Sequence, residues 1–231
     1  MAKLRGPVAS YFSGHVGEVV GAPMKGGETV IRTYRRNIKN PNTLRQQVSR
    51  NKMALASQYA AALSVAIKIG YAMATASTKM FARNMFVQNI VPVSKGVLTN
   101  SGAEITADLT KLPVSQAIGI AETPVIAVSA GTEAGSKKID ASNAADVVME
   151  QGETLGLVVV ALNEAGSQSM VRQGVATEGV TLSAADIENI GNGHFYAFFK
   201  AIPKAVNGVA STDLPWMYPS NTSGTTVFQL A

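Results

Sequence analysis

At Val91-Pro92 the hydrophobic period of this chain changes, and that change limits the folds open to it. Upstream, Leu44, Val48, Leu55, Tyr59, Ala62, Ala66 and Ile69 recur at intervals of three, four or seven, which places them on one face of a helix. Downstream, Ala103, Ile105, Ala107 and Leu109 alternate with Glu104, Thr106, Asp108 and Thr110, the period-two pattern of a strand with one wet face. Further strand segments are expected at residues 115–121, 125–129, 138–141, 155–162, 168–173, 179–182, 194–201 and 225–230. Turn-rich stretches at 131–136, 163–166 and 191–193 separate several of them, and Gly191-Asn192-Gly193 reads as a hairpin turn. The expectation is an α+β protein: an N-terminal β-hairpin and helices over residues 1–92, then an antiparallel immunoglobulin/fibronectin-III-like β-sandwich over residues 93–231. The last segment, YPSNTSGTTVFQLA, can add a strand to its own sheet or to a neighbour's.

Within the first part, residues 16–20 and 29–34 are β-prone and Met24-Lys25-Gly26-Gly27 is a turn signal, so a short hairpin is expected. Asn40-Pro41-Asn42 stops the strand. Thr43 and Gln46 have the spacing of a capping box, in which the Thr hydroxyl accepts from the backbone three residues on and the Gln side chain reaches back. Gly70 should break the helix that starts there, and residues 72–89 should form a second one with Met73, Met80, Phe81, Met85 and Phe86 as its bulky members. These are core residues or, since Met adapts to varied contacts, part of an oligomer interface. The many Ala and Ser residues of 54–77 allow close helix approach. Residues 183–187 read as one helical turn before a late strand.

Charge divides along the same line. Residues 1–90 hold thirteen Lys and Arg against Glu18 and Glu28, a balance of +11; residues 91–231 hold seven against thirteen Asp and Glu, a balance of −6. Such opposed halves suit a basic arm for a polyanion, or head-to-tail packing of like subunits. Lys25, Arg32, Arg35, Arg36, Lys39, Arg45, Arg50 and Lys52 are the candidate contacts to a polyanion or to an acidic neighbour, and Tyr34 could stack on a base. No helix-turn-helix, RNA-recognition or zinc-finger signature accompanies them, so contact with nucleic acid would run through the backbone and depend strongly on salt.

The series Gly14-His15-Val16-Gly17-Glu18-Val19-Val20-Gly21, then Val30-Ile31-Arg32 with Arg35 and Arg36, then Asn40-Pro41-Asn42-Thr43 with Gln46, Gln47 and Arg50, resembles the opening of an uncharacterised domain-of-unknown-function family of Bacteroidota and their phages and other mobile elements. The resemblance is clearest over residues 6–90 and loosens in the β region, where the strand order and residues 193–200 are similar. It implies a basic, helical start and a sandwich-like end, and no activity.

Chemical motifs are scarce. His15 and His194 lack partners at metal-ligand spacing, and no metal or cofactor is expected. GxxxxGK[ST] and GxSxG do not occur, and Asp140, Asp146 and Glu150 are explained as solvated loop carboxylates. The chain has no Cys, hence no disulfide and no thiolate nucleophile. No signal peptide or membrane span is expected, so the Asn221-Thr222-Ser223 sequon has no role without export. The reading that results is a non-enzymatic, self-assembling structural protein, a bacteriophage virion component such as a capsid, cement or neck protein. Its partners would be itself as a homo-oligomer, other virion proteins, or nucleic acid through backbone contacts. The alternative is a cytoplasmic nucleic-acid-binding module of a cell, using residues 25–52; an enzyme on a sandwich scaffold is the weakest of the three.

Overall fold

The computed structural model describes residues 2–4, 13–23, 29–34, 42–99, 102–150, 152–203, 205–206, 209–210 and 216–230. Four short strands open the chain, β1 (Ala2–Leu4), β2 (Gly14–Val16), β3 (Val19–Pro23) and β4 (Thr29–Thr33). Four helices follow, α1 (Leu44–Ala62), α2 (Ser64–Gly70), α3 (Ala72–Ala76) and α4 (Ala82–Ile90). Next come β5 (Ser94–Thr99), β6 (Gly102–Ala107), β7 (Ile126–Ala130), β8 (Lys137–Ala141), β9 (Thr154–Leu162), β10 (Ser169–Val175) and β11 (Val180–Leu182). The chain ends with α5 (Ala184–Ile190), β12 (His194–Ile202), β13 (Ala205–Val206), β14 (Val209–Ala210) and β15 (Thr226–Phe228). The architecture is mixed α+β with antiparallel sheets.

β9 and β12 form the centre. They pair antiparallel over their whole length, from Thr154 opposite Ile202 to Leu162 opposite His194. β10 and β15 flank them in the order β10-β9-β12-β15. The sequences TLGLVVVAL and HFYAFFKAI carry apolar residues at almost every position, and such runs suit strands covered on both faces. Residues 155–162 and 195–201 are all buried. One face presents Val158, Val160, Leu162, Tyr196 and Phe198 to the helices, where they meet Ala56, Tyr59, Leu63, Ile67, Phe86 and Ile90. The other presents Leu157, Val159, Phe195 and Phe199 to Ile139, Val180, Leu182 and Ile190 of a second sheet, ordered β11-β8-β7, and of α5.

The two sheets face one another as sandwich layers do, but the arrangement departs from the immunoglobulin or fibronectin type. The sheets stay open, and helices cover the side of the central sheet that would be wet in such a sandwich. The physical reason is the absence of polar alternation in β9 and β12. The line expected between residues 92 and 93 falls just after α4, and helices before it share a core with strands after it.

Most expected strands stand close to their sequence positions, and the C-terminal segment adds β15 to its own sheet. Residues 115–121 instead form only bridges from Ile118 and Gly119 to Thr222. Val16–Val20 is not one strand: Gly17-Glu18 is a two-residue turn between β2 and β3, with Gly17 at φ +60°, a conformation that such turns favour. The expected turn at 24–27 lies outside the described residues. Gly191-Asn192-Gly193 joins α5 to β12 and is not a hairpin turn.

The helices are more divided than their period suggests. α1 and α2 bend by 85° at Leu63, so that Ala56 and Tyr59 of one and Ala66 and Ile67 of the other enter the same core. No single helix among the described residues is long and apolar enough to cross a membrane. The expected 72–89 helix is two pieces, and Met73 and Phe81 are exposed at 38% and 57%, whereas Phe86 is buried edge-on against Tyr71. Leu44, at the start of the apolar stripe, is also exposed.

Gly70 ends α2 because another chain segment passes there. A Cβ at this position would lie 2.5 Å from the Val114 carbonyl oxygen, while the Gln116 amide donates to the Gly70 carbonyl at 3.2 Å. Segment 112–116 thus seals the helix layer, and Tyr71 Oη and Tyr196 Oη donate to the Pro113 and Leu109 carbonyls at 2.7 and 2.9 Å. Gly70→Ala should destabilise by about 1–3 kcal/mol, the usual cost of overpacking, in a urea titration.

Lys200 interrupts the apolar face of β12. It is 2% exposed, and its Nζ donates to the Tyr218 carbonyl at 2.7 Å. Burial lowers its pKa from 10.5 to about 8. The folded pKa lies below the unfolded one, so the unfolded chain holds the proton more strongly and stability rises with pH between about 8 and 10.5. The gain is at most about 3 kcal/mol. Tyr71 opposes it above pH 10, because burial pushes its hydroxyl up to about 12. Denaturant titrations at pH 7.5 and 9.5 should show the wild type gaining stability, and Lys200→Met should remove most of that gain.

Candidate functional site

Among the described residues the carboxylates and histidines do not come together as a catalytic constellation. Among the described residues no group of three or more His, Asp or Glu is placed to hold a metal ion. Asp140 pairs with Lys138 at 3.0 Å, and Glu150 receives no hydrogen bond from Asp146; its own amide donates to Glu153 at 3.3 Å. Lys200, the one strongly buried amine described, is sealed against the Tyr218 carbonyl and has no access to solvent.

What the structure does assemble is a set of surfaces. α1 sets two of them apart. Its first three turns carry Arg45, Arg50 and Lys52, of which Arg45 and Lys52 form no ion pair among the described residues. Arg50 Nη1 lies 3.5 Å from Asn42 Oδ1. The first turn has no acidic residue, so Arg45 adds its charge to the positive end of the helix dipole instead of offsetting it. That placement slightly disfavours the helix.

The far end of α1 is different. Gln58 Nε2 donates to the Ala165 carbonyl at 3.3 Å and Ser169 Oγ to the Ala62 carbonyl at 2.5 Å, which fixes the β9–β10 turn there. That turn brings Glu164 beside Glu188 of α5 around an open cleft of about 500 Å³, about 20 Å along α1 from Arg45. An adjoining cleft of about 360 Å³ includes Asp186, whose carboxylate takes two hydrogen bonds from Arg172, at 2.6 and 3.1 Å. Although burial alone would raise it, these bonds and those from Ser183 hold the Asp186 carboxyl below the usual range.

The N-terminal sheet, ordered β1-β4-β3-β2, has two unlike faces. Register puts Val16 opposite Val19 and Val19 opposite Thr33, so these share a face; Val16 is 66% and Val19 37% exposed. His15, Val20 and Arg32 form the next row and lie on the opposite face. Tyr34, two residues past Arg32, joins that face, and its ring meets the His15 ring at 4.2 Å with a tilt of 50°. His15, Arg32 and Tyr34 are exposed, and Arg32 forms no ion pair among the described residues. A further apolar cleft of about 300 Å³ lies between Ala72, Thr75, Ala76 and Ala82 on one side and Met217 and Pro219 on the other, with Lys68 lining it.

Of the eight expected cationic contacts, Arg32, Arg45, Arg50 and Lys52 are described, on two separate elements; Lys25, Arg35, Arg36 and Lys39 lie outside the described residues. His15 was the residue missed. The Val16-Gly17-Glu18-Val19 turn folds His15 back onto Val20 of β3, and only the further pairing of β3 with β4 brings it to the side of Arg32 and Tyr34.

The capping box expected at Thr43 and Gln46 is not formed. Thr43 occupies the N-cap with extended backbone, but its side chain caps nothing, and Gln46 is half-buried with Oε1 lacking a hydrogen-bond partner. Packing has drawn the Gln side chain inward, away from the cap. The complete box is in α5, where Ser183 Oγ accepts from the Asp186 amide and Asp186 Oδ2 from the Ser183 amide, both at 3.2 Å. Ser183→Ala should therefore cost about 1 kcal/mol in thermal or urea unfolding, and Thr43→Ala less than about 0.5 kcal/mol.

Comparisons with protein-family models, curated proteins and solved structures found no match to this chain.

Proposed function

We propose that this chain is a non-enzymatic structural protein that assembles with copies of itself, as a capsid, cement or neck component of a bacteriophage virion. The observation that carries the reading is the N-terminal sheet, a small layer whose main contacts are internal and which leaves Val16 and Val19 exposed on one face. A thin sheet of this kind gains stability when a neighbour covers its apolar side. The charge layout supports the same reading: cations at one end of α1 and the carboxylates of Glu164 and Glu188 at the other would orient like subunits head to tail. Under this reading the facing sheets of residues 126–228 act as the sandwich-like body.

The second reading, a cellular nucleic-acid-binding module, draws on Arg32, Arg45 and Lys52, which form no ion pair among the described residues. The two separate by mass. Light scattering should show a homo-oligomer that persists in 1 M salt, because apolar contact survives screening, and Val16→Lys should dissociate it. Arg45→Glu should slow assembly without loss of fold, since an acid in the first turn favours the helix by about 0.3–1 kcal/mol. A monomer at every salt and protein concentration, shifting only with nucleic acid at low salt, would overturn assembly in favour of the module.

A further inference from the structure

We propose that the face of the N-terminal sheet opposite Val16 and Val19 is a binding platform for single-stranded nucleic acid, with Tyr34 and His15 stacking on bases and Arg32 holding the backbone. The argument begins with register. His15, Val20 and Arg32 stand in one row across three strands, and neighbouring strands lie about 4.8 Å apart. Tyr34 extends past the row and closes on His15 at 4.2 Å, which makes an aromatic pair beside a guanidinium. All three side chains are exposed, Tyr34 at 40%.

Neither folding nor an internal ion pair accounts for this group. Aromatic rings on a solvated sheet face bury little, and Arg32 has no carboxylate among the described residues. Glu18, in the turn between β2 and β3, contributes its backbone carbonyl to the Tyr34 amide at 2.7 Å. An exposed aromatic pair with a cation at its side is what single strands use, because each base offers a π-face and each nucleotide a phosphate. A duplex hides those faces within its own stack, so it would meet only the charge. The first ninety residues, with a balance of +11, supply the long-range attraction for a polyanion. This inference does not rest on self-assembly, because the apolar face invoked there is the other side of the sheet.

The experiment uses the full chain and fluorescence anisotropy with a labelled oligothymidylate of twenty nucleotides. A duplex of equal length, inorganic polyphosphate and vesicles of anionic phospholipid serve as competitors. Tyr34→Ala should weaken oligothymidylate binding by about 5- to 100-fold and leave polyphosphate binding unchanged; Tyr34→Phe should retain binding, since the ring suffices. Arg32→Gln should weaken both and lower the salt slope by about one. Equal binding of duplex and single strand, equal loss of polyphosphate binding in Tyr34→Ala, or vesicles as the stronger competitor would overturn the platform. So would unchanged affinity in Tyr34→Ala. Light scattering of the same variants reads assembly separately, so failure of either idea is visible by itself.

Discussion

The pairing of β9 with β12 is the interaction on which the rest of the structure depends. Nine residues of each strand are in register, and nearly every side chain on both faces is buried. Fully burying one Val, Leu or Phe side chain contributes about 1.5–3 kcal/mol, whereas an exposed pair such as Lys138–Asp140 contributes about 0–1 kcal/mol. Apolar burial on this sheet therefore outweighs the ion pairs. It also demands two covering layers, and the order of the chain provides them: helices first, the β7–β8–β11 sheet second. Long segments then return to the centre, as when Thr222 bonds to Ile118 and the Ser223 hydroxyl accepts from the Phe199 amide.

Set beside this core, the N-terminal sheet is built on a different principle. Its strands are short, its apolar residues are split between exposed and partly covered positions, and Arg32 forms no ion pair among the described residues. The core needs nothing from outside, while the sheet has one apolar face and one cationic, aromatic face. The same contrast recurs along α1, whose cationic first turns run against the helix dipole while its last turns are locked to the β9–β10 turn.

Much of this was legible beforehand. Leu157 to Leu162 and Phe195 to Phe199 are uninterrupted apolar runs, and a run of that length bounded by turns can be located without knowing its partners. The errors were of another kind. Thr43 and Gln46 satisfied a local rule, but Gln46 faces the interior. Met73 and Phe81 satisfied a helical period, but the helix stops between them. Arg32 and Tyr34 could be picked from their closeness in sequence, while His15 met Tyr34 only through the pairing of three strands.

The sequence by itself determined where most strands lie, where the first long helix begins, and how charge divides along the chain. Each of these follows from composition and spacing within a few residues. The tertiary structure decided which layers cover which face, where Gly70 must yield to the Val114 backbone, which side chains cap helices, and that His15 meets Tyr34. Those outcomes depend on residues far apart in the chain competing for the same space, and local periodicity carries no information about such encounters.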